Sequence, residues 1–290
     1  MSRPLSPAEL FPVGRPDISV RNVTLSTGVT LRVLESGPPN GEPVVMLHGW
    51  GASAYMFRQA LTLLPTRGLR AIAVDLRGHG LSDKPAESGA YTLGAYCADV
   101  DGLLDMLELT RAALIGQSMG GGLALHCALR NPDRVSGLVL VNPVGLVSID
   151  YLSMLRLLPQ AFFATMDGRL APRFVVELIL RYVAYADPTQ PTQRDVDEYW
   201  APTQLPGFIG AARAALSEFD WRPLSDGDAR ALTVPTVVIL GTRDRLIRNA
   251  VSGAARLNGA VVRSVSGGHC VLEENPATVY QIAGDFLAGN

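Results

Sequence analysis

Sulfur, histidine and an excess of charge of either sign are all scarce in these 290 residues. The three cysteines, Cys97, Cys127 and Cys270, are an odd number at no metal-ligand spacing. A disulfide framework and a metal site are therefore not expected, and a reducing, cytoplasmic compartment fits best. Lysine and arginine total 25 against 27 aspartates and glutamates, a formal net charge of −2. That balance offers no electrostatic case for nucleic acid or an anionic membrane as partner. No window reaches the roughly 18 uncharged apolar residues of a spanning helix, so membrane insertion is not expected. The opening stretch "MSRPLSPAELFPVGRPD" lacks the unbroken apolar centre of a signal peptide.

What the chain does have is apolar material: 48% hydrophobic residues against 18% charged ones. That is ample for one large α/β domain with room for an insertion. "DISVRNVTL" and "VTLRVLES" alternate apolar with polar around "STG", which predicts an antiparallel hairpin. "PVVMLHG", "RAIAVDLRGHG", "AALIG", "VSGLVLVNP", "TVPTVVILG" and "AVVRSVSGG" are short continuous apolar runs, the pattern of strands buried on both faces. Between them fall segments with helical spacing, among them "AYMFRQALTLLP", "TLGAYCADVDGLLDMLEL", "IRNAVSGAARLN" and "PATVYQIAGDFLAG". Strand–helix alternation of this kind predicts a mostly parallel sheet with helices on both faces. Residues 144–225 break the pattern, being helical in period and rich in Leu, Phe, Met and Tyr. They read as a helical insertion over one end of the sheet, which leaves 1–143 and 226–290 as the core domain.

Four glycines crowd one hydroxyl in "LIGQSMGGG", where an apolar run gives way to a helical one. Gly116-Gln117-Ser118-Met119-Gly120 satisfies G-x-S-x-G in the context of strand, sharp turn and helix, which presents a serine as nucleophile. A serine hydroxyl needs a base, and there are four histidines. His126 lies along the helix away from the turn, His79 in a loop, and His48 at a strand end where it fixes that loop. His269 follows the last strand behind two glycines and is the candidate base. Asp244, in "VVILGTRDRL" just past a buried strand, is the candidate partner that orients it. The alternative for Asp244 is an exposed loop carboxylate paired with Arg243 or Arg245. Backbone N–H groups of Met119 and of Trp50, in "HGWGAS", are candidates for an oxyanion hole.

Together "HGWG", "DLRGHGLSD", "GQSMGG", "GTRD" and "GGHCVLEENP" resemble the α/β-hydrolase superfamily, in its serine-nucleophile branch with a helical cap. The resemblance implies an eight-stranded sheet with the cap inserted after the sixth strand. It also implies an acyl-enzyme on Ser118, with His269 as base and then acid and Asp244 orienting it, and no cofactor. Haloalkane dehalogenases and epoxide hydrolases of this fold carry an aspartate where Ser118 stands. Meta-cleavage C–C hydrolases share the triad, but their usual tryptophan after the histidine is Cys270 here and their usual asparagine before the serine is Gln117. Perhydrolases and lactonases use the same triad, and a slow-turnover ligand receptor on this fold is the non-enzymatic alternative. Hydrolysis of a small-molecule carboxylic ester is the expected activity. Met154, Leu155, Leu158, Phe162, Phe163 and Met166, with Trp50 and Cys270, are candidate pocket residues; those of the cap serve equally well as the cap's own core.

Overall fold

The computed structural model describes residues 3–149 and 172–289. Eight strands form one sheet: β1 (Ser19–Thr24), β2 (Thr30–Ser36), β3 (Pro43–Leu47), β4 (Arg70–Val74), β5 (Ala112–Gln117), β6 (Val135–Val141), β7 (Thr236–Gly241) and β8 (Val261–Val265). Their spatial order is β1-β2-β4-β3-β5-β6-β7-β8. The hairpin partners β1 and β2 pair antiparallel, β2 meets β4 antiparallel, and every later pairing is parallel. The expected architecture is therefore present, with its antiparallel edge.

Side chains alternate across a strand, and both faces of this sheet are covered. Val45, Leu47, Leu114, Leu138, Leu140 and Val238 enter one core cluster, and Val44, Met46, Ile115, Val139, Val141 and Ile239 the other. That is why the strands read as unbroken apolar runs. The helices are α1 (Ala60–Leu63), α2 (Leu93–Met106), α3 (Met119–Arg130), α4 (Arg173–Ile179), α5 (Gln193–Trp200), α6 (Phe208–Glu218), α7 (Asp226–Ala231), α8 (Ala250–Ala254), α9 (Val271–Glu274) and α10 (Pro276–Ala288). Residues of α2 and α3 pack in the first cluster, those of α1 and α10 in the second. Between β6 and β7 the described residues are helical, with no strand.

Two expectations need correction. The helix expected over 54–65 is broken into a 3₁₀ turn (Ala54–Phe57), α1 and a second 3₁₀ turn (Pro65–Arg67). All four residues of the first turn are buried, a demand that an amphipathic helix with one wet face does not meet. The helix expected over 247–258 is only Ala250–Ala254. Asp244 Oδ1 draws the N–H groups of Leu246 and Ile247 into its own loop, at 2.7 and 3.0 Å, ahead of it.

Candidate active site

The turn from β5 into α3 places Ser118 at φ 52°, ψ −116°. A residue with a Cβ rarely adopts such a backbone, and it persists only where its surroundings enforce it. Here Ser118 N donates to Val141 O at 3.1 Å, and Ser118 O accepts from Gly121, Gly122 and Val144 at 3.0, 3.1 and 2.9 Å. A Cβ on Gly120 would stand 2.0 Å from Leu47 O, so only glycine lets α3 begin this close to β3. The side chain of Ser118 is left half-buried at the start of a 12-residue helix, whose N-terminal field favours negative charge.

His269 comes from the loop after β8, and its Nδ1 lies 2.8 Å from Asp244 Oδ2. The Asp244 side chain is 3% exposed, and its other oxygen is taken by its own loop. The carboxylate thus serves the imidazole rather than a neighbouring arginine, because Arg245 donates instead to Tyr182 O and Tyr185 O. With Nδ1–H given to Asp244, Nε2 is the basic nitrogen.

Ser118 and His269 are held at the same sheet end through two amides. Gln117 Nε2 donates to His269 O at 3.1 Å. Asn142 Nδ2 donates to Gly268 O and His269 O, both at 3.0 Å, while its Oδ1 accepts from Gly241 N at 2.8 Å. Among the described residues no direct hydrogen bond joins Ser118 Oγ to the imidazole; such contacts commonly tighten only with substrate present. Sequence reasoning passed over Gln117 and Asn142 as positioning groups. Their signal was a polar side chain at the end of an otherwise apolar strand.

His48 is fully buried. Its Nε2 accepts from Leu76 N at 3.0 Å, which makes Nδ1 the donor to Gly49 O at 2.7 Å. Burial lowers its pKa, in keeping with this neutral form. A trans peptide points its C=O and N–H in opposite directions. Anchoring Gly49 O therefore turns the Trp50 N–H away from His48. The loop passes close to the serine: a Cβ on Gly49 would lie 2.4 Å from Gln117 Oε1 and 3.1 Å from Ser118 Cβ. Among the described residues, neither Trp50 N–H nor Met119 N–H is given to a backbone acceptor.

The Trp50 indole reaches upward and donates to Ala212 O of α6 at 2.8 Å. Cys270 is buried, donates its backbone N–H to Ala184 O at 3.1 Å, and has its thiol pKa pushed up by burial. His79 is buried with its pKa lowered to about 3, by burial first and then by His48; its Nδ1 meets Arg77 O at 3.0 Å. Met154, Leu155, Leu158, Phe162, Phe163 and Met166 lie outside the described residues. The three cysteines are free.

Comparison with known proteins follows the same line. A family model for the alpha/beta hydrolase fold matches residues 42–276, and the chain belongs to that family of enzymes. Over 267 residues it is 32% identical to a non-heme chloroperoxidase of Streptomyces lividans, spanning 88% of this chain and 94% of the relative. The meta-cleavage product hydrolase of Pseudomonas fluorescens IP01 superimposes with a TM-score of 0.80 at 23% identity, over 94% of this chain and 98% of the other. A thermophilic esterase from Thermogutta terrifontis does so with a TM-score of 0.76 at 24% identity, over 93% and 98%. At those identities the two structures share the fold with this chain.

Proposed function

We propose that this chain is a serine hydrolase that cleaves carboxylic esters of small-to-medium apolar substrates, without a cofactor. One observation carries the reading: a serine held at positive φ stands at the sheet end where a buried carboxylate is hydrogen-bonded to a histidine. His269 Nε2 takes the Ser118 proton as Oγ attacks the ester carbonyl, and Asp244 stabilises the imidazolium that forms. The N–H groups of Trp50 and Met119 receive the developing oxyanion, at about 3 kcal/mol of barrier reduction per donor. His269 then protonates the departing alcohol. Water, deprotonated by the same imidazole, releases the acid from acyl-Ser118.

Residues 144–225 act as a cap over this end of the sheet. Trp50 and Cys270 supply walls of the pocket. A second reading is favoured by the 32% identical chloroperoxidase. In it hydrogen peroxide replaces water in the last step, and the acyl-enzyme yields a peracid. Gln117 and Cys270 weigh against C–C bond hydrolysis.

A fluorophosphonate probe is expected to add to Ser118, as located by peptide mass spectrometry. The Ser118→Ala enzyme is expected to lose at least about 1,000-fold in turnover of short-chain p-nitrophenyl esters. Activity retained in that variant would refute the assignment. Assaying esters with and without peroxide separates the two readings.

A further inference from the structure

Both loops that carry the acid–base pair are tied to one short piece of the helical insertion. After α4 the chain runs through a π-helical turn, Leu180–Ala184, closed by Tyr185 N donating to Leu180 O at 2.9 Å. Such turns are rare and tend to occur at functional sites. The residues that follow lie directly against the histidine loop: a Cβ on Gly268 would be 2.6 Å from Ala186 N and 2.7 Å from Ala184 O. Cys270 N donates to Ala184 O at 3.1 Å.

Glu274 completes this contact. Its Oε1 accepts from Ala186 N at 2.8 Å and Asp187 N at 3.3 Å, while its Oε2 accepts from Gly268 N, the residue before His269. On the other side Arg245, next to Asp244, donates to Tyr182 O at 2.8 Å and Tyr185 O at 3.0 Å. Residues 182–187 are thus bonded to Arg245 beside Asp244, to Cys270 beside His269, and to Glu274, which also holds Gly268. A carboxylate with two oxygens can hold three N–H groups in one place, and a guanidinium can hold two carbonyls.

We propose that residues 182–187 are a positioning strap, in which Glu274 and Arg245 use the insertion to align His269 with Asp244. The inference rests on the acyl-enzyme reading above, and deepens it by making the insertion part of the acid–base machinery. An error of about 1 Å in such a pair costs on the order of 100-fold in rate, so even partial release of the strap is readable in kcat. Neither residue is a catalytic one, since neither touches the reacting atoms.

The test uses Glu274→Gln and Arg245→Gln in the full chain, with active serines counted by fluorophosphonate titration. Glu274→Gln sets an amide NH₂ against an N–H it used to accept from. Arg245 is exposed and bonds only carbonyls, so its variant keeps the fold. The groups facing the histidine loop and the strap include Asp244, Arg245, Cys270, Glu273, Glu274, Tyr185 and Tyr199, with Arg58 and Asp195 behind them. Charge alone would move the acidic limb of the kcat/KM profile in opposite directions in the two variants: down in pH when a carboxylate is lost, up when a cation is lost. Misalignment weakens the support of the protonated base in both, and moves both limbs down.

The expected result is a fall of about tenfold in kcat in each variant, with KM within about twofold and the limb of Arg245→Gln at lower pH. A limb at higher pH in Arg245→Gln, or a kcat within about threefold of wild type in either variant, overturns the strap. Absence of fluorophosphonate labelling in the wild type would instead remove the serine mechanism itself.

Discussion

At the scale of single residues, the site depends on backbone placed where only small groups fit. Gly49 is the clearest case, since a Cβ there would press on Gln117 Oε1 at 2.4 Å and on Ser118 Cβ at 3.1 Å. Gln117 cannot swing away without giving up its bond to His269 O. Gly49→Ala is therefore expected to displace either the Trp50 N–H or the histidine loop. Its kcat/KM for p-nitrophenyl esters should fall about 100-fold, the scale of one lost oxyanion donor. Circular dichroism should show the fold unchanged. Asp244→Asn tests the other side of the site. An amide in place of the carboxylate favours the wrong imidazole tautomer, and the expected loss in kcat is about 10,000-fold. A loss below about tenfold would return Asp244 to the role of an ordinary loop carboxylate.

Between elements, the most concentrated electrostatics lie away from the serine. Arg58, just after the first 3₁₀ turn, meets Asp195 of α5 at 2.8 Å and Glu273 of α9. Tyr55 Oη donates to Asp195 at 2.7 Å and Tyr199 Oη to Glu273 at 2.6 Å. The Arg58 guanidinium sits 4.4 Å from the centre of the Tyr55 ring. Burial would raise the Asp195 pKa, yet Arg58, Thr192 and Tyr55 outweigh it and hold the carboxyl below its usual value. The cluster fastens a helix of the insertion to the core and to the helix that follows His269. Arg58→Met would leave two buried carboxylates without their cation, and is expected to cost about 3–5 kcal/mol. Urea unfolding followed by tryptophan fluorescence measures it; a loss under about 1 kcal/mol would place the cluster among weak surface pairs.

For the molecule as a whole, two buried imidazoles set a pH limit. Burial lowers the pKa of His48, and lowers that of His79 to about 3. Both stay neutral in the fold below the pH near 6.5 at which an unfolded histidine protonates. Between those values the unfolded chain binds more protons than the folded one, so stability falls as pH falls. The contribution is complete above about 6.5; for His79 it is lost at up to about 1.4 kcal/mol per pH unit below that, and His48 acts in the same direction. Urea midpoints are therefore expected to drop between about pH 6.5 and 4.5, before most carboxylates titrate. A midpoint constant over that window would contradict the burial of these rings as neutral groups.

Sheet class, strand order in the chain and the likeness to hydrolases were legible in the sequence because they rest on local pattern. Runs such as "VVML" and "LVLV" declare strands covered on both faces, and glycines around Ser118 declare a turn too tight for side chains. The break in the helix expected over 54–65 was not legible. It follows from the burial of all four residues of Ala54–Phe57 and from Arg58 reaching Asp195 and Glu273, partners far along the chain. The roles of Gln117, Asn142 and Glu274 were hidden for the same reason. A polar side chain ending an apolar strand marks Gln117 and Asn142, but the distant backbone atoms that they and Glu274 bind leave no residue-type signature. Local chemistry determined which side chains are able to react; long-range packing alone decided which loops hold them in place.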